Sequence, residues 1–157
     1  MRQFSSVIAI SALLALAACG GDSNGGVTNP KKPNNGTMSA RIDGAAWSAI
    51  SIATGSGTGS ALIVTGSNIA QTLAIIVPIN TGTGTKTMGQ SSVVSGTLIV
   101  GSQQWAANPA QGGTGSITLT TVAAGHVAGT FSFTMAAQQG ATPATRQITS
   151  GQFDVTF

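Results

Sequence analysis

Reactive side chains are scarce in this chain of 157 residues: one cysteine, one histidine, three acidic groups and six lysines and arginines. General acid–base catalysis needs a titratable group within reach of its target, and two-carboxylate mechanisms need a pair. Beyond residue 38 the candidates are Asp43, His126 and Asp154. Asp43 opens an Asp-Gly pair, whose ordinary role is a tight hairpin turn. Asp154 alternates with Phe153 and Val155 and so falls on a solvent face, and His126 follows Gly125 at the start of a strand, where an exposed turn histidine is expected. Serines are plentiful, but no Gly-x-Ser-x-Gly elbow occurs and a β-rich chain lacks the strand-to-helix turn that motif uses. A hydrolase built on His126 and an aspartate is therefore the weakest functional reading. One histidine and two aspartates cannot close a zinc site, so no metal and no cofactor are expected.

The remaining reactive group, Cys19, sits in a specific setting. Arg2 supplies a positive charge, Phe4 to Ala18 is apolar apart from three serines, and Ala17-Ala18 precedes the cysteine directly. Charged start, short apolar run and small residues at a cut are the layout of a secretory signal over residues 1–18. The run is shorter than the roughly 20 residues a helix needs to cross a bilayer, and it lacks a basic stop-transfer flank. Leu16-Ala17-Ala18-Cys19 resembles the lipobox of bacterial lipoproteins. That resemblance implies a diacylglycerol thioether on Cys19, cleavage before it, acylation of the new amino terminus and stable attachment to the membrane, since two or more acyl chains anchor firmly. Gly20 in place of an aspartate implies delivery to the outer membrane.

From Gly20 to Gly36 the residues are Gly, Asn, Asp, Ser, Thr, Pro and Lys around a single Val27, without periodicity, so residues 19–37 read as a lipidated tether. Loss of residues 1–18 would leave five cations against three aspartates. Lys31-Lys32 is an isolated pair, and without clustered Lys and Arg no nucleic-acid partner is expected. With Cys19 assigned to lipid, no disulfide is available to the domain, and its stability must come from burial.

Residues 38–157 have the size of one domain and show short alternating runs separated by turn residues, with no sustained helical period. The expected fold is all-β, an antiparallel β-sandwich or incomplete β-barrel. Met38, Ala40 and Ile42 share a face before the Asp43-Gly44 turn, and Ala45 to Ile52 returns with Trp47. Ser60–Ser67 and Gln71–Ile79 form a pair joined through Asn68. Leu73, Ile75, Val77 and Ile79 share one face of the second strand, and apolar Ala74 and Ile76 on the other predict cover on both sides. Pro78 needs a place where no ladder hydrogen bond is required. Val94, Gly96, Leu98 and Val100 share a face, Trp105 follows in a strand or loop, and Ser116 to Ala123 points Ile117 and Leu119 inward. The clearest alternation is Val127, Gly129, Phe131, Phe133 and Met135 against small polar neighbours. Ile148 has the opposite parity from Phe153, Val155 and Phe157, which predicts a bulge at Ser150-Gly151 and four phenylalanines beyond the signal facing one core.

The segments Met38–Trp47, Gly113–Thr120, Gly129–Thr134 and Thr149–Phe157 resemble a family of uncharacterised bacterial envelope lipoproteins. The resemblance implies an antiparallel β domain on a membrane tether and supplies no activity. Gly55–Gly59 and Gly82–Gly84 lack the helix and lysine of a phosphate loop and read as turns. Thr81, Thr83, Thr85 and Thr87 would share a face if extended, a row similar to ice-binding surfaces but without their repeat.

The expected function is that of a non-catalytic, membrane-anchored lipoprotein with a structural, adhesive or partner-binding role, attached through lipid on Cys19. The alternative is a small-ligand or glycan-binding module using Trp47 and Trp105, the only aromatic groups outside the phenylalanine set beyond the signal. Long, weakly charged strands such as Leu73–Ile79 could also assemble edge to edge.

Overall fold

The computed structural model describes residues 36–57, 61–89 and 93–157, so the signal, Cys19 and most of the tether lie outside the described residues. Among the described residues, all strand pairings are antiparallel and the strands form one sheet that curls into a half-barrel, the second of the two expected architectures. In chain order the strands are β1 Gly36–Ile42, β2 Ala45–Ser48, β3 Ser51–Ser56, β4 Ala61–Ser67, β5 Gln71–Pro78 and β6 Gly84–Thr87. β7 Ser95–Val100, β8 Gln103–Ala107, β9 Thr114–Ala123, β10 His126–Gln138 and β11 Thr145–Thr156 complete the sheet.

Across the sheet the order is β2-β1-β11-β10-β8-β7-β5-β4-β3. β10 is the fork in this arrangement. Its residues from His126 to Thr134 pair with β9, which pairs in turn with β6, while Ala136 to Gln138 pair with β8. A strand of this length is dictated by its sequence: every second residue from Val127 to Met135 is buried, and the residues between them are small and polar.

The core lies inside the curl. Register places Leu62 beside Val77, Val64 beside Ile75, and Leu73 beside Leu98, which is in turn beside Trp105. Full burial of each such aliphatic side chain contributes about 1.5–3 kcal/mol. Each of the three core phenylalanines faces a glycine on a neighbouring strand: Phe153 opposite Gly129, Phe131 opposite Gly151, and Phe133 opposite Gly115. A Cβ on Gly151 would stand 2.5 Å from the Phe131 ring, so the missing side chains are the space the rings occupy. Phe131 bridges its partners, with ring centroids 5.8 Å from Phe133 and 6.3 Å from Phe153.

The Asp43-Gly44 turn forms as expected, with φ of 50° and 84°. So does the bulge: Thr149 and Ser150 together oppose Ser132, Ser150 has φ 50°, and parity is restored for Phe153 and Val155. Asn68 joins β4 to β5 and accepts backbone N–H groups of Ala70 and Gln71 on its side-chain oxygen.

Other expectations are corrected. Ala45–Ile52 is two strands, because the curl brings the two ends of the sheet together and the chain steps between them at Ala49-Ile50. Ala49 N–H donates to the Met38 carbonyl at 2.9 Å and Ile50 N–H to that of Ser67 at 2.8 Å. β5 buries Leu73, Ile75 and Val77 completely, but Ala74 and Ile76 are half-buried on the outer face of a one-layer sheet. β5 is also interior, flanked by β4 and β7, so its edges are not available for assembly. Phe157 is 41% exposed, leaving Phe131, Phe133 and Phe153 as the core set. Of the four threonines from Thr81 to Thr87, only Thr85 and Thr87 lie on a strand, since Thr81 closes a 3-10 turn.

Candidate functional site

Four ionisable groups of the domain gather in two pairs that the sequence keeps far apart, while Arg41 and Lys86 donate to nearby backbone carbonyls. Asp43 leads the β1–β2 turn, and β11 passes beside it. Arg146 donates from Nη1 to Asp43 Oδ2 at 2.6 Å, and the Gln147 backbone N–H donates to Oδ1 at 2.8 Å. Burial pushes the Asp43 carboxyl up, but the Gln147 N–H and the Arg146 guanidinium outweigh it and hold it below its ordinary value. Both oxygens of this carboxylate therefore serve to lock a turn to a strand. At the other end of the molecule His126 Nε2 lies 2.8 Å from Asp154 Oδ1, with side-chain exposures of 37% and 64%. His126 borders an apolar cleft of about 390 Å³ lined by Ile79, Val122, Ala123, Ala124 and Phe157. A histidine held by a carboxylate is two-thirds of a nucleophilic triad, but among the described residues the cleft wall presents no serine or cysteine to it. Among the described residues, no three His, Cys, Asp or Glu side chains group to hold a metal ion.

Both tryptophans belong to the core. Trp47 is 4% exposed and Trp105 fully buried. Trp105 Nε1 donates to the Pro143 carbonyl at 2.7 Å, and the Arg146 guanidinium lies over its ring, 4.6 Å from the centroid. Arg146 thus clamps Asp43 and seals Trp105 together. Trp47 packs where a Cβ on Gly66 would lie 2.9 Å from its ring, and its Nε1 has no hydrogen-bond partner among the described residues. A stacking platform needs an open ring face, and neither indole offers one.

What the outer surface does offer is hydroxyl groups in register. Thr85, Thr118 and Thr130 stand side by side on β6, β9 and β10, and Thr87, Ser116 and Ser132 form a second row beside them. The first row runs on through Gln152 of β11 to Ser39 of β1 and Ser48 of β2. Strand geometry spaces such groups about 4.8 Å across the sheet and about 6.8 Å along it. Thr85 and Thr118 hydroxyls are 2.8 Å apart and bonded to each other. The Ser150 bulge bends β11 away and leaves a shallow depression of about 420 Å³ bordered by Ser116, Thr118, Thr130, Ser132 and Gln152. Between Gly44 and Thr145 the only ionisable side chains of the Lys, Arg, Asp, Glu and His types are Lys86 and His126, so the part of this face on β6, β9 and β10 carries little charge, while Arg41 and Asp154 stand on β1 and β11. On the other arm the outer row is Ala53, Thr65, Ala74, Thr97, Ala106 and Ala136, equally small and uncharged.

Sequence reading finds single elements of this surface and misses the rows. Alternation identifies the outward residues of β9 and β10, but only strand order shows that β6 joins them. The same holds for Asp43 with Arg146 and His126 with Asp154, each pair brought together by β11. The Gly55–Gly59 loop falls partly outside the described residues, and its Gly55 and Ser56 end β3.

A family model described as a domain of unknown function (DUF6252) matches residues 34–155. No curated protein and no solved structure matches the chain.

Proposed function

The chain belongs to the DUF6252 family, and from that premise and the geometry above we propose that it is a non-catalytic bacterial lipoprotein. In this reading Cys19 carries the lipid, and the half-barrel presents its sparsely charged, hydroxyl-rich outer face for adhesion or partner binding at the outer membrane. The observation that carries the non-catalytic reading is the use of the ionisable groups. Asp43 and Arg146 lock a turn, Lys86 Nζ donates to the Thr81 carbonyl at 3.0 Å, and His126 pairs with Asp154 beside a cleft whose described lining holds no serine or cysteine. The lipobox sequence and the small residues before Cys19 support the anchor.

A small-ligand or glycan-binding role is the second reading, favoured by the in-register hydroxyl rows. It would work through those rows and not through Trp47 and Trp105. Flat, uncharged polymers match a lattice of hydroxyls better than charged ones do, and desolvating a neutral hydroxyl costs far less than desolvating a charge. Co-sedimentation with isolated peptidoglycan and with envelope polysaccharide tests it. Thr118→Lys and Thr130→Lys would abolish retention if the rows are the binding face, and unchanged retention would remove them from the account.

A further inference from the structure

We infer that the domain rests on the bilayer with one defined end down, the end that carries the His126 cleft, and that the lipid surface itself is what this cleft meets. The inference rests on the proposed lipid anchor. Register defines the two ends of the half-barrel. Gly36, where the described chain begins, pairs with Val155; His126 pairs with Thr156 and Ala123. The tether, the β9–β10 turn and Phe157 therefore emerge together. The opposite end follows the row Gln138, Gln104, Ile99, Thr72 and Ser67, beyond which the Asn68–Ala70 turn carries Ile69, 99% exposed. Twelve residue steps of β10 separate the two ends, roughly 40 Å of strand.

Three features of the first end suit an interface with lipid. It carries an apolar patch, with Phe157, Ala123 and Ala124 open and Ile79 and Val122 half-buried beside them, next to the exposed polar Asn80 and Thr156. Among the described residues, the carboxylate side chain at the rim, Asp154, already has a partner in His126. Lys86 reaches the loop after Ile79, bonding the Thr81 carbonyl, and adds a positive charge of the kind that anionic headgroups attract. The sixteen residues between Cys19 and Gly36 span at most roughly 55–60 Å, so a lipid on Cys19 keeps this end at high effective concentration near the surface. A weak apolar contact suffices to orient a domain already held there.

The test uses the full lipidated chain in vesicles of phosphatidylethanolamine and phosphatidylglycerol. Ala124→Cys and Ile69→Cys, each exposed and in a turn, are labelled separately with an environment-sensitive fluorophore, and lipids bearing a doxyl quencher are added. The expected result is quenching at position 124 at least threefold greater than at position 69, with the difference reduced by Phe157→Ser. Equal quenching, or stronger quenching at 69, overturns the orientation while the vesicle association still supports the anchor. Shielding of position 124 from aqueous iodide without doxyl quenching also overturns it, since the cleft would then hold the protein's own acyl chain or a second copy. Failure of the chain to associate with vesicles overturns the anchor itself and the inference with it.

Discussion

Arg146 and Trp105 show how one side chain can serve two ends. The guanidinium closes the Asp43 turn and covers the indole, so Arg146→Ala is expected to open Trp105 to solvent, seen as red-shifted emission and faster acrylamide quenching. The two tryptophans should also answer differently to phenylalanine. Both substitutions leave a cavity in the core, but Trp105→Phe also strands the Pro143 carbonyl and is expected to cost about 1–3 kcal/mol more than Trp47→Phe, which removes an N–H that has no partner among the described residues. Chemical denaturation of the two variants checks the order. Asp43 predicts an acid limb. Its folded pKa lies below its unfolded value of 3.8, so its stabilisation is complete above that value and is lost as pH falls through the lowered one. Both partners touch solvent, which limits the effect to less than about 1 kcal/mol. Thermal melts from pH 6 down to pH 2 should fall less steeply for Asp43→Asn than for the parent chain.

At the scale of elements, β10 and β11 organise the sheet, and their glycines are as decisive as their phenylalanines. A Cβ on Gly129 would lie 2.3 Å from the Thr118 carbonyl oxygen and 3.1 Å from the Phe153 ring, so Gly129→Ala is expected to cost about 2 kcal/mol or more, measured as a shift in denaturation midpoint. The alternation of β10 was legible in the sequence because one face is buried and the other is not, and the bulge at Ser150 was legible as a clash of parity between Ile148 and Phe153. The break of Ala45–Ile52 into β2 and β3 was not, since it depends on the curl that sets Met38 and Ser67 as hydrogen-bond partners for consecutive residues. Nor was the place of β5, whose apolar outer residues Ala74 and Ile76 read as evidence of a second layer. On a one-layer sheet they are half-covered by their strand neighbours instead.

For the whole molecule, a single curled sheet with a core inside and a sparsely charged outer surface is the consequence of a chain with 6% charged residues and 22 glycines. The site residue most legible in the sequence is the one proposed to carry the lipid. Cys19 stands out by its neighbours, while the hydroxyl rows emerge only when β6, β9 and β10 are aligned. Intact mass spectrometry of the protein purified from envelopes tests the anchor most directly. The account predicts a chain beginning at Cys19 with the added mass of a diacylglycerol and a third acyl group, and Cys19→Ser should leave an unprocessed chain that begins at Met1 or its neighbour. A chain recovered with an unmodified Cys19 thiol would contradict it.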